Sequence, residues 1–357
     1  MGIKCPTVDE GEIYCIREVD FITGTPGEYV KLGKTSRDTQ QRLREHQTGN
    51  PRQETAEFVL YTDMMSSLEK FLHYRFAPHC INSEWFKIDT ATVMTDVAPL
   101  IQDLAKQHAT VRPLFDEWKA QGKTVSNGKV LPATPAQVKL REDYLTHWDR
   151  YKVAEGQYEI AKLELQMMIG THNGIENMAY LVTSQTRDFD KDGFLASLAN
   201  DADRDACHKT SAKVLPEAPK VHGERSLGKI DASLNKQHGD LKKAYNAQKP
   251  DPKVNLTNAQ APMNAAMISA HQTYLNSKQE LKEAEWALEK ATAQLVNELK
   301  DNEEIEGVIV WKREEKISKS FDKASALKLF PVQFAAHQGG EKTVIRRVQI
   351  DDGRKYP

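Results

Sequence analysis

The order of apolar and polar positions along the first ninety residues alternates between strand and helix periods. Residues 12–19 (EIYCIREV) and 28–33 (EYVKLG) are rich in β-branched and aromatic side chains, and the ITGTPGE stretch between them supplies turn chemistry. From Thr39 to His46 the residues are strong helix formers, and TGNP at 48–51 stops that helix with Gly49 and Pro51. A strand (EFVLYT, 57–62) follows. A second helix is predicted from about Ser66 to Phe76, with Leu68, Phe71, Leu72 and Phe76 as its apolar face. EWFKI at 84–88 reads as a last strand. This strand–strand–helix–strand–helix–strand order predicts a small α/β domain, a central antiparallel sheet flanked by helices.

Beyond it, residues 92–119 have helical spacing of Val, Leu and Ile, so the first domain with its trailing helix is expected to occupy 1–119. Residues 120–137, punctuated by Gly, Ser, Asn and Pro, read as a linker. The second half contains an internal repeat. A long helical pattern at 138–170 runs into GIENMAYLVTSQTRDFDK, and another at 263–303 runs into EIEGVIVWKREEKISKSFDK. Ile175-Glu176 aligns with Ile305-Glu306, and Phe189-Asp190-Lys191 with Phe321-Asp322-Lys323. Each unit predicts a long helix, a strand or β-hairpin, and an FDK element opening a short helix; two copies imply a pseudo-symmetric or mutually packed pair. The units are bounded as 138–204 and 263–357. The stretch between them, 205–262, is Lys-rich, broken by Pro216, Pro219, Pro250, Pro252 and Pro262, and reads as a polar linker. The expected fold class is α+β: the small sheet domain, then a duplicated long-helix plus β-hairpin accessory region.

The 357 residues carry a formal charge of −2, so the chain is no polycation and any grip on nucleic acid must come from a local patch. Such a patch exists between Val30 and Arg52, where Lys31, Lys34, Arg37, Arg42, Arg44 and Arg52 face only Asp38 and Glu45. The four cysteines show no CxxC or other zinc spacing, and a disulfide framework is not expected. No apolar run approaches the roughly 20 residues that span a bilayer. The N-terminus lacks a signal-peptide core. A cytoplasmic protein with no membrane partner is therefore expected. Trp148, Trp286 and Trp311 read as core or helix-contact residues rather than base-stacking platforms.

Phosphodiester hydrolysis needs a base, a Lewis acid on the phosphate, cations against the developing charge and a proton for the leaving group. Tyr14 on the first strand, with Lys31 on the second, can supply the base, since a nearby cation favours phenolate. Arg42 and His46, four apart, share a helix face. Glu69 lies one turn before His73, and one carboxylate suffices for Mg²⁺, which takes further ligands from water and substrate. Arginine presents a planar fork to phosphate.

GEIY (11–14), VKLGKT (30–35), RLREHQTGNP (42–51), LEKFLHYRF (68–76) and EWFKI (84–88) together resemble the GIY-YIG nucleases, in the phage-type branch with KLG in place of YIG. The resemblance spans roughly a quarter of the chain. It implies a metal-dependent DNA endonuclease using Mg²⁺ or Mn²⁺ on Glu69. Tyr14 would activate water, Lys31 assist it, Arg42 hold the scissile phosphate and His46 stand beside it. Lys34, Arg37, Arg44, Arg52 and Asn82 are the expected DNA contacts. Glu12 departs from the family pattern by replacing the first motif's glycine. More weakly, VIVWKREEKISKSFDK followed by TVIRRVQI is similar to the segment that trails the core of YqaJ-type phage recombination exonucleases, whose carboxylate cluster is not evident here. DNA is the expected partner, and the repeats are expected to bind DNA, a protein or a second copy. The alternatives are a non-catalytic DNA-binding or regulatory protein acting on phage or host recombination machinery, and an inhibitor whose acidic surface occupies a DNA channel.

Overall fold

The computed structural model describes residues 3–47, 52–215, 218–248 and 259–353. The TGNP helix stop lies outside them. The first domain is built from β1 (Gly11–Val19), β2 (Pro26–Thr35), α1 (Thr39–Gln47), β3 (Gln53–Thr62), α2 (Met65–Arg75), β4 (Cys80–Asn82) and β5 (Trp85–Lys87), which is the element order expected from the residue pattern with the short strand β4 added. The strands form one sheet in the order β3-β1-β2-β5-β4, and every pairing is antiparallel. Alternation along β1 and β2 sorts the side chains onto two faces. Ile13, Cys15, Val30 and Leu32 pack with Leu68 and Leu72 of α2, whereas Tyr14 and Ile16 lie under Leu43 of α1. Arg17, buried at the turn end of the sheet, donates to the Glu57 carboxylate and to the carbonyls of Gly27 and Ile88, tying three segments together.

A helical turn, α3 (Thr90–Thr92), capped by Asp89, continues through a π-turn at Val93–Val97 into α4 (Ala98–Gln121). The predicted linker then contains β6 (Val130–Leu131), paired in parallel with β11 (Glu304–Ile305) of the second repeat. Arg313 anchors it further. Its buried guanidinium stacks on Trp311 at 4.5 Å and donates to Gln121 and to the Lys300 and Asn302 carbonyls. Residues 120–137 are thus a pinned crossing rather than a loose tether.

The first repeat comprises α5 (Pro135–Ile169), β7 (Gly174–Ile175), β8 (Ala179–Phe189), α6 (Lys191–Ser197), α7 (Asp201–Ala206) and β9 (His208–Leu215). Between the repeats come β10 (Lys220–Val221), α8 (Leu227–Ile230) and α9 (Ala232–Gln248). The second repeat comprises α10 (Ala265–Leu299), β11, β12 (Ile309–Val310), β13 (Glu314–Phe321), α11 (Lys323–Leu329), α12 (Pro331–Ala336) and β14 (Gln338–Ile350). The two 35-residue helices end alike, in left-handed Gly170 (φ 58°) and Lys300 (φ 54°). Asp190 and Asp322 cap the two FDK helices through backbone N–H groups.

The copies interlock. β8 pairs with β14 and β9 with β13, so each hairpin-like ribbon takes one strand from each repeat. The long helices run antiparallel: Gln137 at the start of α5 donates to Glu298 near the end of α10, while Leu165 and Ile169 share a cluster with Met267 and Ile268. The ribbons leave opposite ends of this helix pair. They converge where Phe189 and Phe321 stack at 5.7 Å within a cluster of Phe194, Phe334 and Cys207. The polar stretch 205–262 is more structured than its composition suggested, because Gly156 leaves room on α5 for Leu227 and Leu234; a Cβ there would meet Leu227 at 2.8 Å. Pro250 and Pro252 lie outside the described residues. Trp118, Trp148 and Trp311 are buried together in the core that joins α4, α5 and α10, and Trp286 packs against it, as expected of core tryptophans.

Candidate active site

Tyr14 sits on β1, between β3 and β2, opposite Gly33 of the KLG motif. A Cβ on Gly33 would lie 2.6 Å from Cε2, Cζ and the hydroxyl of Tyr14, so only glycine lets the ring lie flat across β2. The tyrosine is almost wholly buried. Burial holds its phenol above the ordinary value, and the nearby Arg42 guanidinium pulls in the opposite direction. Glu84 and Glu69 both lie close enough to act electrostatically on the same hydroxyl.

Arg42 reaches Tyr14 from α1, whose placement rests on an unforeseen contact. The carboxylate of Glu12, the residue standing where the motif's glycine was expected, accepts the Thr39 backbone N–H at 2.8 Å and caps the helix start. The close approach that does require a glycine occurs one residue earlier: a Cβ on Gly11 would lie 2.3 Å from the Met65 sulfur and 2.5 Å from the Thr35 carbonyl oxygen. Arg42 also donates to Glu45 at 3.2 Å, and Arg37 grips the same carboxylate with both terminal nitrogens. Glu45 is held below the usual carboxylate range, chiefly by Arg42. Two of the six expected cations therefore share one acid, which offsets only one of their two charges.

Glu69 projects from α2 and is largely sheltered, with 16% of its side chain exposed. Its partner is Lys34, whose Nζ lies 2.9 Å from Glu69 Oε2 and donates to Ser66 Oγ at 2.8 Å. Ser66 in turn bonds Asp9, whose backbone and side chain also receive the N–H groups of Met65 and Ser66 and so start α2. Lys31, one alternation away from Gly33 on the same sheet face, pairs with Glu84 at 3.4 Å. His73 bonds the Leu32 carbonyl at 2.8 Å and fixes α2 against β2.

Tyr14, Arg42, Lys31, Lys34 and Glu69 thus gather at one end of the sheet, with Glu84, Glu45, Ser66 and Asp9 as partners the motif spacing did not reveal. No local pattern marks these four, because each lies on a different element and meets its partner only through the fold. Arg44 and Asn82 are exposed, and Arg52 Nε lies 3.9 Å from Glu18 at the other end of β1. The His46 side chain lies outside the described residues. Among the described residues no three His, Cys, Asp or Glu side chains gather as a metal cage. A lone carboxylate fits an ion that keeps its waters and borrows substrate oxygens, provided the Lys34 ammonium gives way.

Lys34, Ser66 and Glu69 open onto a cleft of about 780 Å³ whose other walls include Lys152 and Glu155 of α5 and Lys282 and Glu289 of α10. The accessory region therefore borders the same cleft as the candidate site.

Residues 13–100 match the T5orf172 domain. That is a phage-associated domain of the endonuclease type, and the stretch runs from the middle of β1 to the first turn of α4. It contains Tyr14, Lys31, Gly33, Lys34, Arg37, Arg42, Glu45, Ser66, Glu69, His73 and Glu84, and leaves out Asp9, Gly11 and Glu12. The matching stretch thus coincides with the five-stranded sheet and its covering helices, while the duplicated region lies outside the match. No curated protein and no solved structure matches the chain. No helix among the described residues is long and apolar enough to cross a membrane.

Proposed function

We propose that the N-terminal domain is a metal-dependent DNA endonuclease of the GIY-YIG type. The observation that carries this reading is the Tyr14 hydroxyl, held over Gly33 against Arg42 and within electrostatic reach of Glu69, inside a T5orf172 match. Mg²⁺ or Mn²⁺, held by Glu69, would supply Lewis-acid charge on the scissile phosphate. Arg42 binds a non-bridging phosphate oxygen with the face of its guanidinium not committed to Glu45 and holds charge that builds there. Tyr14 takes the proton of the attacking water as the water oxygen bonds to phosphorus and the bond to the departing oxygen breaks, that oxygen taking its proton from solvent. For this the phenol must first ionise. Arg42 favours the phenolate, and movement of Lys31 from Glu84 towards the phenol would favour it further. Lys34, displaced from Glu69, would swing to a neighbouring phosphate, with Arg37, Arg44 and Asn82 further along the backbone.

The Lys34–Glu69 ion pair favours a second reading, a domain that grips DNA without cutting it, because an ammonium already fills the carboxylate's contact. Cutting and gripping separate experimentally. With duplex DNA and Mn²⁺, the endonuclease loses product by about 10²-fold or more in Glu69→Ala, the scale of one essential catalytic group, while affinity in EDTA stays within a few-fold. Equal product from both proteins overturns the assignment of Glu69.

A further inference from the structure

The two ribbons that join the repeats are built alike but place their charges differently. In the β8/β14 ribbon two cations meet acids on the facing strand, Arg187 with Glu341 and Lys342 with Asp188 at 2.7 Å, while the exposed Arg347 stands opposite Val182. The β9/β13 ribbon is different. Its register sets Lys209 opposite Ser320, Ser211 opposite Ser318, and Lys213 opposite Lys316. Residues in register, and those two apart on one strand, share a face. One face therefore carries three lysines and three serines in a block, with Glu314 beyond it at the body end. The other face holds Thr210, Ala212, Val214, Glu315, Ile317 and Lys319, the last paired with Asp205. Ser211 and Ser318 bond each other at 3.1 Å in the middle of the lysine face.

Like charges directly opposite each other on antiparallel strands destabilise the pair, and a two-stranded ribbon is only marginally stable by itself. Nearly every residue of the ribbon is exposed, Ile317 to 70%. Eight residues of strand extend about 27 Å, and a two-stranded ribbon fits the roughly 12 Å width of a DNA major groove. The ends are firmly held, by the stacked phenylalanines at Phe321 and by the buried Arg313 beside Glu314, so the lysine face is presented on a braced strut.

We infer that the lysine–serine face of the β9/β13 ribbon is a binding surface for the phosphate backbone of duplex DNA. The three lysines neutralise phosphates and the serine hydroxyls donate to their oxygens. The site is separate from the Tyr14–Glu69 centre, and its test does not depend on cleavage.

The test uses the full chain carrying Glu69→Ala, in EDTA, with fluorescence anisotropy of a short labelled duplex over a range of KCl concentrations. Replacing Lys209, Lys213 and Lys316 by Gln together should lower the slope of log K against log salt by about 2 to 3, at roughly 0.9 per phosphate contact. At moderate salt the affinity should fall by about tenfold or more. The paired-charge control, Arg187→Gln with Lys342→Gln, should leave the slope unchanged. Matched thermal unfolding of all three proteins checks that the ribbon still forms. An unchanged slope in the triple variant, an equal loss in the control, or a wild-type chain with no affinity for duplex DNA overturns the inference. A wild-type chain that binds through the ribbon but never cuts would overturn the nuclease reading and leave this one standing.

Discussion

At Gly33 a methyl group would meet the Tyr14 ring at 2.6 Å, and the ring has β1, β2 and α1 around it with nowhere to retreat. Gly33→Ala should destabilise the protein by about 1–3 kcal/mol, the usual cost of overpacking, and should abolish activity even where the chain still folds; denaturant unfolding and a cleavage assay read the two effects. Lys34 is the second residue with a distinct expectation. Lys34→Met removes the ammonium that competes for Glu69, so Mn²⁺ affinity without DNA, measured calorimetrically, should rise several-fold while duplex affinity in EDTA falls. Weaker Mn²⁺ binding would mean that Lys34 supports the metal site rather than blocking it. The motif residues Tyr14, Lys31, Arg42 and Glu69 were legible from their order along the chain, since each falls at a fixed offset within a strand or helix. Their partners were not. Glu45 looks like an ordinary solvated helix acid, yet it holds both Arg37 and Arg42. Glu12 looks like a lapse from the glycine pattern, yet it caps α1.

Among the elements, α10 carries the clearest pH dependence. Burial in the cleft between α2 and α10 pushes the Glu289 carboxyl up to about 8, with Glu285 adding to the rise and Lys282 and Lys70 opposing it. Its folded value lies above its unfolded one, so its contribution is fully present at pH 4 and is lost as pH rises towards 8. Glu289→Gln should therefore leave stability unchanged at pH 4 and raise it by about 1–3 kcal/mol at pH 8, the water-lined cleft discounting the full shift. An advantage that is the same at both values would assign the effect to packing instead. Element types and the repeat were readable because the long helices and the FDK caps are local features. Strand pairing across the repeats was not, since β8 finds β14 and β9 finds β13 at separations of about one hundred residues or more. The composition of 205–262 concealed α9 as well. That helix has few apolar residues, and they suffice only because Gly156 makes a hollow for them on α5.

At the scale of the molecule, the first domain and the repeats share one core. Phe115 and Trp118 of α4 pack with Leu288, Leu295 and Trp311 of the second repeat, and Ala77 of the first domain sits beside Ala161, Tyr274 and Leu275. Thermal unfolding should accordingly show one cooperative transition. Trp118→Ala, costing about 3–5 kcal/mol as a large core truncation, should lower that transition as a whole. Two resolved transitions, of which only one moves, would mean that the halves fold independently. The same contiguity sets the repeats along the cleft that Glu69 opens onto, where they can help choose what enters it. The most direct measurement is incubation of the full chain with supercoiled plasmid and Mg²⁺ or Mn²⁺, beside Tyr14→Phe and Glu69→Ala. Nicked or linear product that requires the metal and disappears in both variants is the predicted result; plasmid left intact by the wild type, or cut equally well by either variant, would contradict it.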